Sequence, residues 1–225
     1  WGQGAQHSQA LHALFIHVPG LKVVAPSNAH DAKGCMIAAI RDNNPVMFVE
    51  HRLLYSTDAP VPEDPYTVDF GKARVSGDGT DITLVGISYM LVECLAARDL
   101  LAEVGISAEV IDPVSLMPLD VDTIANAAQR TGKMLVVDNA WTTAGASAEI
   151  IAAVCEHDPG KPLSFGRMGY APTTCPTTPE LEKEFYPNAA TIAAKAYAMV
   201  RPDEAAWAPD VEPTLPHEAA FRGPF

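Results

Sequence analysis

Between residues 82 and 170, short apolar segments alternate with longer segments whose apolar residues recur at helical spacing. The apolar segments are ITLVGI (82–87), ISAEVID (106–112), KMLVVDN (133–139) and KPLSFGRMG (161–169). Nearly continuous apolar strands are typical of sheets that are covered on both faces, and strands that alternate with helices pair in parallel through right-handed crossovers. The sequence therefore predicts an open parallel α/β sheet in this half of the chain.

A second, shorter block of the same kind precedes it. LKVVAP (21–26) is followed by a helical pattern behind the candidate caps Ser27 and Asn28, and then by the apolar strand 46–49. Residues 53–80 show little periodic burial and contain three prolines, which is typical of a linker. We expect an α/β protein with two parallel-sheet, three-layer blocks.

The composition excludes several classes of function. The net charge of −13 disfavours nucleic acid as a partner. No apolar run approaches the roughly 20 residues of a membrane-spanning helix, so we expect no membrane association. The four cysteines are far apart and form no CxxC pair, which argues against zinc or a disulfide framework and favours a reducing compartment. We expect a bacterial cytoplasm or a mitochondrial matrix.

Three local features leave alternatives open. His7, in GAQHSQ, is either an acid–base group or a polar surface residue like the nearby His12 and His17. The turn AAIRDNNP (38–45) could hold a monovalent cation at its helix-end carbonyls, or could be an ordinary turn before proline. Gly145 opens a helix after a strand and could cradle a phosphate, although most such turns bind nothing. Glu180, Glu182 and Glu184 are expected to be a solvated stretch.

Residues 4–55, GAQHSQALHALFIHVPGLKVVAPSNAHDAKGCMIAAIRDNNPVMFVEHRLLY, resemble the beta subunit of thiamine-diphosphate-dependent 2-oxo acid dehydrogenases along their whole length. ITLVGIS, EVIDPVSLMPLD and VVDNAWTTAGASAEI extend the similarity, which covers residues 1 to about 200. The resemblance implies four parts: the C-terminal half of a pyrimidine-binding domain (1–55), a linker (56–80), a transketolase-like C-terminal domain (81–200) and an extended proline-rich tail (201–225).

The resemblance also implies roles for particular residues. His7 matches a family histidine that lines the active-site channel and assists acyl transfer to lipoamide. The carbonyls of Ala39, Ile40, Asp42 and Asn44 match a structural potassium site. Thiamine diphosphate and Mg²⁺ are expected to be held mainly by partner chains, of which the alpha-type subunit is the first, and no residue of this chain is assigned to cofactor binding. A second beta copy and a lipoyl acyltransferase are further expected partners.

The sequence departs from the family pattern at its start, where roughly half of the pyrimidine domain is absent. We therefore expect either a fragment or a split enzyme in which another chain or segment supplies that half. The function implied is decarboxylation of a 2-oxo acid and transfer of the acyl group to lipoamide. The alternatives are a transketolase-like or acyloin-forming synthase subunit, and an assembly module without turnover.

Overall fold

The computed structural model describes residues 4–157 and 162–211. Of the tail expected at 201–225, the part beyond residue 211 therefore lies outside the described residues. The first block contains α1 (Gly4–His7), α2 (His12–Ile16), β1 (Lys22–Val24), α3 (Ala29–Arg41), β2 (Val46–Phe48) and a 3-10 turn (Arg52–Ser56). The second contains β3 (Arg74–Ser76), β4 (Ile82–Gly86), α4 (Met90–Glu103), β5 (Ala108–Asp112), β6 (Ser115–Met117), α5 (Val121–Thr131), β7 (Lys133–Trp141), α6 (Ala146–His157), β8 (Ser164–Tyr170), α7 (Pro179–Glu182) and α8 (Ala189–Val200).

The larger sheet has the strand order β3-β5-β4-β7-β8. Strands β5, β4, β7 and β8 are mutually parallel, as the alternating pattern predicts. β3 is an addition, because it lies in the segment expected to be a linker and pairs antiparallel with β5 at the sheet edge. Antiparallel edge strands are common on otherwise parallel sheets. β3 is largely exposed and contains no run of buried residues, so its sequence does not predict a strand.

Helices cover both faces of this sheet. α4 and α8 pack on one face, where their apolar residues meet Leu84 and Leu135 in one core cluster. α5 and α6 pack on the other face around Val85 and Val136. All five residues of β4 are buried, because each strand residue points into one of the two cores. The block is therefore the three-layer structure that the sequence predicts.

The smaller sheet joins the two blocks. Its order is β2-β1-β6, in which β1 pairs parallel with β2 and antiparallel with β6. β6 follows β5 in the chain after only two residues, Pro113 and Val114. Val23 and Ala25 also pack into the α5–α6 core cluster of the second block. Consequently the first block is held against the second by both strand pairing and apolar contact.

Several helix ends follow their sequence signals. Asn28 caps α3 by accepting from the Asp31 N–H, and Asn188 caps α8 in a reciprocal capping box with Thr191. Gly132 adopts φ +72° directly after α5, a conformation that favours glycine. α4 begins at Met90, and Tyr89 occupies its cap position without a side-chain bond. Ser88, which precedes Tyr89, turns the chain at φ +54°.

The strand order fixes where a ligand crevice can form. From β4 the chain crosses to β5 on one side, whereas from β7 it crosses to β8 on the other side. The carboxyl ends of β4 and β7 are therefore the switch point of the larger sheet, the place where open α/β sheets form crevices. The first block's N-terminal segment lies across this point, since His12 contacts Asp138 on β7.

Candidate functional site

A cavity of about 440 Å³ lies beside this switch point and is walled by both blocks. The first block contributes residues from the N-terminal segment and from the end of β2: His7, Ser8, Gln9, Ala10, Leu11, His12, Phe15 and Met47 to Leu53. The second block contributes Tyr89, Met90, Glu93, Asn139, Tyr170, Tyr186, Pro187 and Asn188. Pockets with aromatic walls and a few polar groups are typical of small-molecule sites. We therefore take this cavity as the candidate active site.

The structure places His7 at the C-terminal end of the four-residue helix α1, with its side chain exposed toward the cavity that it lines. Gly4 begins that helix at φ +67° and lies close to Thr177 of the second block. Residues 9–11 after it form neither helix nor strand. The position of His7 therefore depends on contacts made by its neighbours.

The neighbouring His12 was expected to be a surface residue, and this is wrong. His12 is 2% exposed, and its Nε2 lies 3.1 Å from Oδ1 and 3.2 Å from Oδ2 of Asp138, which is fully buried. Buried polar side chains of this kind require a partner. The usable sequence signal was Asp138 itself, a carboxylate at the end of the buried strand segment KMLVVDN.

His51 is a second histidine on the cavity wall, and the sequence interpretation did not single it out. It follows the carboxyl end of β2, and its ring stacks on Tyr89 with 4.9 Å between ring centroids. Burial lowers the pKa of His51 to about 4, so the ring is neutral at pH 7. Its Nδ1 accepts the Leu53 N–H at 3.3 Å, which leaves the ring proton on Nε2. His51 is therefore a neutral hydrogen-bond donor.

Glu93 of α4 is a buried carboxyl group on the same wall. The Tyr89 hydroxyl donates to its Oε1 at 2.9 Å, and the Ala189 N–H at the start of α8 donates to its Oε2 at 2.8 Å. Burial raises the pKa of Glu93 in spite of both hydrogen bonds. Glu93 thus links α4 to α8 behind the cavity and fixes the Tyr89 ring against which His51 stacks.

An aromatic cluster closes the opposite side. Phe185 lies 4.7 Å from Tyr170 and 4.9 Å from Tyr186, measured between ring centroids. Tyr186 lies 3.3 Å from the Cys175 Sγ. The segment after β8 therefore forms a wall of the cavity that His7 and Ser8 also line, which no sequence pattern indicated.

The expected cation turn forms the end of α3. Asp42 is its C-cap, and the Asp42 N–H donates to the Ala39 carbonyl at 3.3 Å. The Asn44 N–H donates to the Asp42 Oδ1 at 2.9 Å instead of continuing the helix toward Ile40. Lys22 pairs with the Asp42 Oδ2 at 2.5 Å. The turn therefore combines helix-end carbonyls with a carboxylate that is already paired.

Two other expectations concern the glycine turn at Gly145 and the glutamate stretch near residue 182. A Cβ atom at Gly145 would lie 2.2 Å from the Trp141 carbonyl oxygen, so close packing of the chain explains this glycine without a phosphate. Glu182 is buried and lies 3.9 Å from the Cys175 Sγ, so the expectation of a solvated glutamate stretch is wrong there. Glu180 and Glu184 are exposed as expected.

Over residues 4–157 and 162–211, no three His, Cys, Asp or Glu side chains are grouped so as to hold a metal ion. In the same part of the chain, no helix is both long and apolar enough to cross a bilayer. The four cysteines are unpaired.

Comparison with known proteins assigns the fold to a family. The family model for the transketolase C-terminal domain matches residues 71–192, and the model for the transketolase pyrimidine-binding domain matches residues 2–57. The chain belongs to the transketolase family. Among solved structures, a split-gene transketolase described as an inactive beta4 tetramer aligns with TM-score 0.68 and 22% identity, covering 84% of this chain and 59% of that one. This transketolase-like fold agrees with the expected fold class.

The relatives of this transketolase-family chain include beta subunits of two kinds. The beta subunit of the acetoin:2,6-dichlorophenolindophenol oxidoreductase of Cupriavidus necator is 44% identical over 193 residues, which is 85% of this chain and 57% of the relative. The pyruvate dehydrogenase E1 component subunit beta of Staphylococcus aureus is 40% identical over 200 residues, 86% of this chain and 61% of the relative. The expected resemblance to dehydrogenase beta subunits is confirmed. The chain spans little more than half the length of these relatives.

Proposed function

We propose that this chain is a beta-type subunit, or a portion of one, of a thiamine-diphosphate-dependent 2-oxo acid dehydrogenase. Its assembly decarboxylates a 2-oxo acid and transfers the acyl group to lipoamide. The observation that carries the proposal is the cavity between the two blocks, which has His7 on one wall and the neutral His51 on another. The identity to pyruvate dehydrogenase beta subunits supports it.

Thiamine diphosphate and Mg²⁺ are proposed as cofactors that are bound mainly by partner chains, the alpha-type subunit in particular. The cavity suits contact with the heteroaromatic part of that cofactor. Its walls carry Phe15, Tyr89 and Tyr170, and the buried Asn139 Oδ1 has no hydrogen-bond partner among the described residues. When bound, the cofactor supplies the electron sink for the carbanion that decarboxylation leaves.

The chain's own contribution is orientation and proton transfer. His7 is proposed to donate a proton or a hydrogen bond to the acyl group and to the departing sulfur of lipoamide, since imidazole exchanges protons readily near neutral pH. His51 donates from Nε2 without carrying a charge. Burial of Tyr89 and Met90 keeps the inner end of the cavity apolar and excludes water there.

A potassium ion is proposed at the end of α3, held by the carbonyls of Ala39, Ile40, Asp42 and Asn44. The fit rests on the helix-end carbonyls and on the negative end of the helix dipole. The Asn44 N–H is turned away to Asp42, which leaves the Ile40 carbonyl without its usual partner from the next turn. We expect a higher melting temperature in potassium than in a large organic cation, and an unchanged melting temperature would refute this site.

The proposed assembly contains an alpha-type subunit, a second beta copy and whichever chain or segment supplies the other half of the pyrimidine domain. A lipoyl acyltransferase is a further proposed partner. The proposed compartment is a bacterial cytoplasm or a mitochondrial matrix, which the free cysteines and the bacterial and mitochondrial relatives support. Native mass spectrometry of the purified assembly, compared with the intact masses of its denatured chains, identifies the chains that copurify with this one.

His7→Ala in the assembled enzyme tests the catalytic proposal, with His17→Ala as the matched control. His17 is exposed at the end of α2 and does not line the cavity. We expect His7→Ala to lower lipoamide acylation about 100-fold, the usual worth of a general acid, while His17→Ala leaves it unchanged. Cofactor binding should be the same in both variants. Equal acylation by the His7 variant would refute the role.

A second candidate is favoured by the relatives named for acetoin, which align over 193 and 187 residues. In that case the substrate is an acyloin instead of a 2-oxo acid. Rates with pyruvate, a branched-chain 2-oxo acid and acetoin, each measured with lipoamide and with an artificial dye, separate the two. Turnover of acetoin alone would replace the first proposal. An intact assembly without turnover of any of the three would favour the assembly module.

A further inference from the structure

The segment that carries His7 has little regular structure to hold it in place. α1 has only four residues, and residues 9–11 between α1 and α2 form neither helix nor strand. Within the segment, the Gln9 side chain donates to the Ala5 carbonyl at 3.2 Å from an exposed position. Local hydrogen bonds of this kind are weak in water. Contacts from elsewhere must therefore hold this segment in place.

The second block supplies those contacts to the residues that follow His7. Three residues after it, Ala10 packs against the aromatic cluster of the second block, which contains Tyr170 and Phe185. Five residues after it, His12 is paired with Asp138 on β7. The two contacts use different parts of the second block, the aromatic cluster and strand β7, so they fix the segment at two separate points.

The His12–Asp138 contact is the polar one of the two, and it is buried. Both side chains are excluded from water, with 2% and 0% exposure, and they join residues 126 positions apart. A buried pair that loses one member leaves an uncompensated polar group, so the remaining side chain moves or draws in water. The pair is thus a rigid link between the strand that ends at the switch point and the segment that carries His7.

We propose that Asp138 of the transketolase C-terminal-like block is a positioning residue for His7, acting through His12. The inference rests on the proposed function, because it takes His7 as the catalytic group. It gives this block an indirect part in the chemistry of the cavity. Asp138 does not need to touch the substrate, since it acts only through the segment that it holds.

The first test measures structure and not activity. Hydrogen exchange at the amides of residues 7–11 is followed in the purified chain for wild type and for Asp138→Asn. We expect exchange at least about tenfold faster in the variant, because these amides lose their tertiary restraint. The matched control is Glu109→Gln, a buried carboxylate that pairs with Arg130 away from the cavity. Unchanged exchange in Asp138→Asn would overturn the proposal.

The second test measures activity in the assembled enzyme. Asp138→Asn should lower kcat by about 10- to 100-fold with little change in KM, as a misplaced catalytic group does. In a His7→Ala background the same change should cost nothing more, because the group being positioned is already absent. An equal loss in both backgrounds would overturn the proposal. If His7→Ala alone loses no activity, the proposed catalytic role fails, while hydrogen exchange still reports on the restraint.

Exchange of the two paired side chains provides a rescue. The double variant His12→Asp with Asp138→His restores a histidine–carboxylate pair in the reverse order. We expect it to recover most of the exchange protection that either single change loses, with kcat within about tenfold of wild type. A double variant as impaired as the two single changes combined would show that the identity of each side chain matters, and would overturn positioning through the pair.

Discussion

Asp120 offers a quantitative test of how the chain before β4 is attached to the second block. Its side chain accepts from the Thr123 N–H at 3.2 Å and from the Thr123 hydroxyl at 2.8 Å, which caps α5. The same carboxylate accepts from the Ala73 N–H at 2.9 Å, just before β3. Asp120 thus caps α5 and also accepts a hydrogen bond from a distant main-chain N–H. The substitution Asp120→Ala removes both contacts.

The magnitude follows from these two contacts. Loss of a helix cap costs about 1 kcal/mol. Loss of the acceptor for Ala73 costs about 1–2 kcal/mol, at the lower end for an unpaired donor because Ala73 is only half-buried and water can reach it. We therefore expect Asp120→Ala to lower the free energy of unfolding by about 2–3 kcal/mol. For a domain of this size that is a melting temperature lower by roughly 4–12 °C.

The assay is urea unfolding followed by circular dichroism, with Asp122→Ala as the matched control. Asp122 lies in the same first turn but its side chain is 82% exposed, so its loss should cost less than about 0.5 kcal/mol. Burial opposes ionisation of Asp120, but its hydrogen bonds with Ala73 and Thr123 and the nearby Lys72 charge outweigh burial and hold its pKa below the ordinary value. The wild-type advantage should therefore be full above about pH 4 and lost at lower pH. Equal destabilisation by both variants would refute the reasoning.

Three further changes have defined outcomes. Burial raises the pKa of Asp112 from 3.8 to about 6, so this carboxyl group stays protonated to a higher pH in the folded state than in the unfolded state. The free energy of unfolding should therefore fall by up to about 3 kcal/mol as pH rises from 4 to 6. Asp112→Asn should flatten that part of the stability curve, and an unchanged slope in urea titrations at pH 4.5, 5.5 and 6.5 would contradict it. Phe185→Ala should cost about 3–5 kcal/mol in calorimetry because it empties a buried aromatic site, and a loss no greater than that of the exposed Leu181→Ala would show that the site collapses. Gly145→Ala should cost about 1–3 kcal/mol, since its Cβ meets the Trp141 carbonyl, and a neutral effect in thermal melts would mean that the turn adapts.

Local patterns determined much of the fold. The buried strands β4, β5 and β7, the helices between them, and the caps Asn28 and Asn188 all follow from apolar spacing and short-range hydrogen bonding. These features depend on residues within a few positions of one another, which is why the sequence alone indicates them. The resemblance to a known family predicted the dehydrogenase beta subunit and a catalytic role for His7. Local patterns alone could not have distinguished His7 from a surface histidine.

Only the tertiary structure decided which residues surround His7. The His12–Asp138 pair joins positions 126 apart, and His51 meets Tyr89 across the boundary between the two blocks. β3 and β6 join their sheets as antiparallel edges, a direction that their short sequences do not encode. Periodicity states which face of an element is buried but not what it is buried against. The cavity forms from such contacts, so its chemistry depends on how the two blocks pack together.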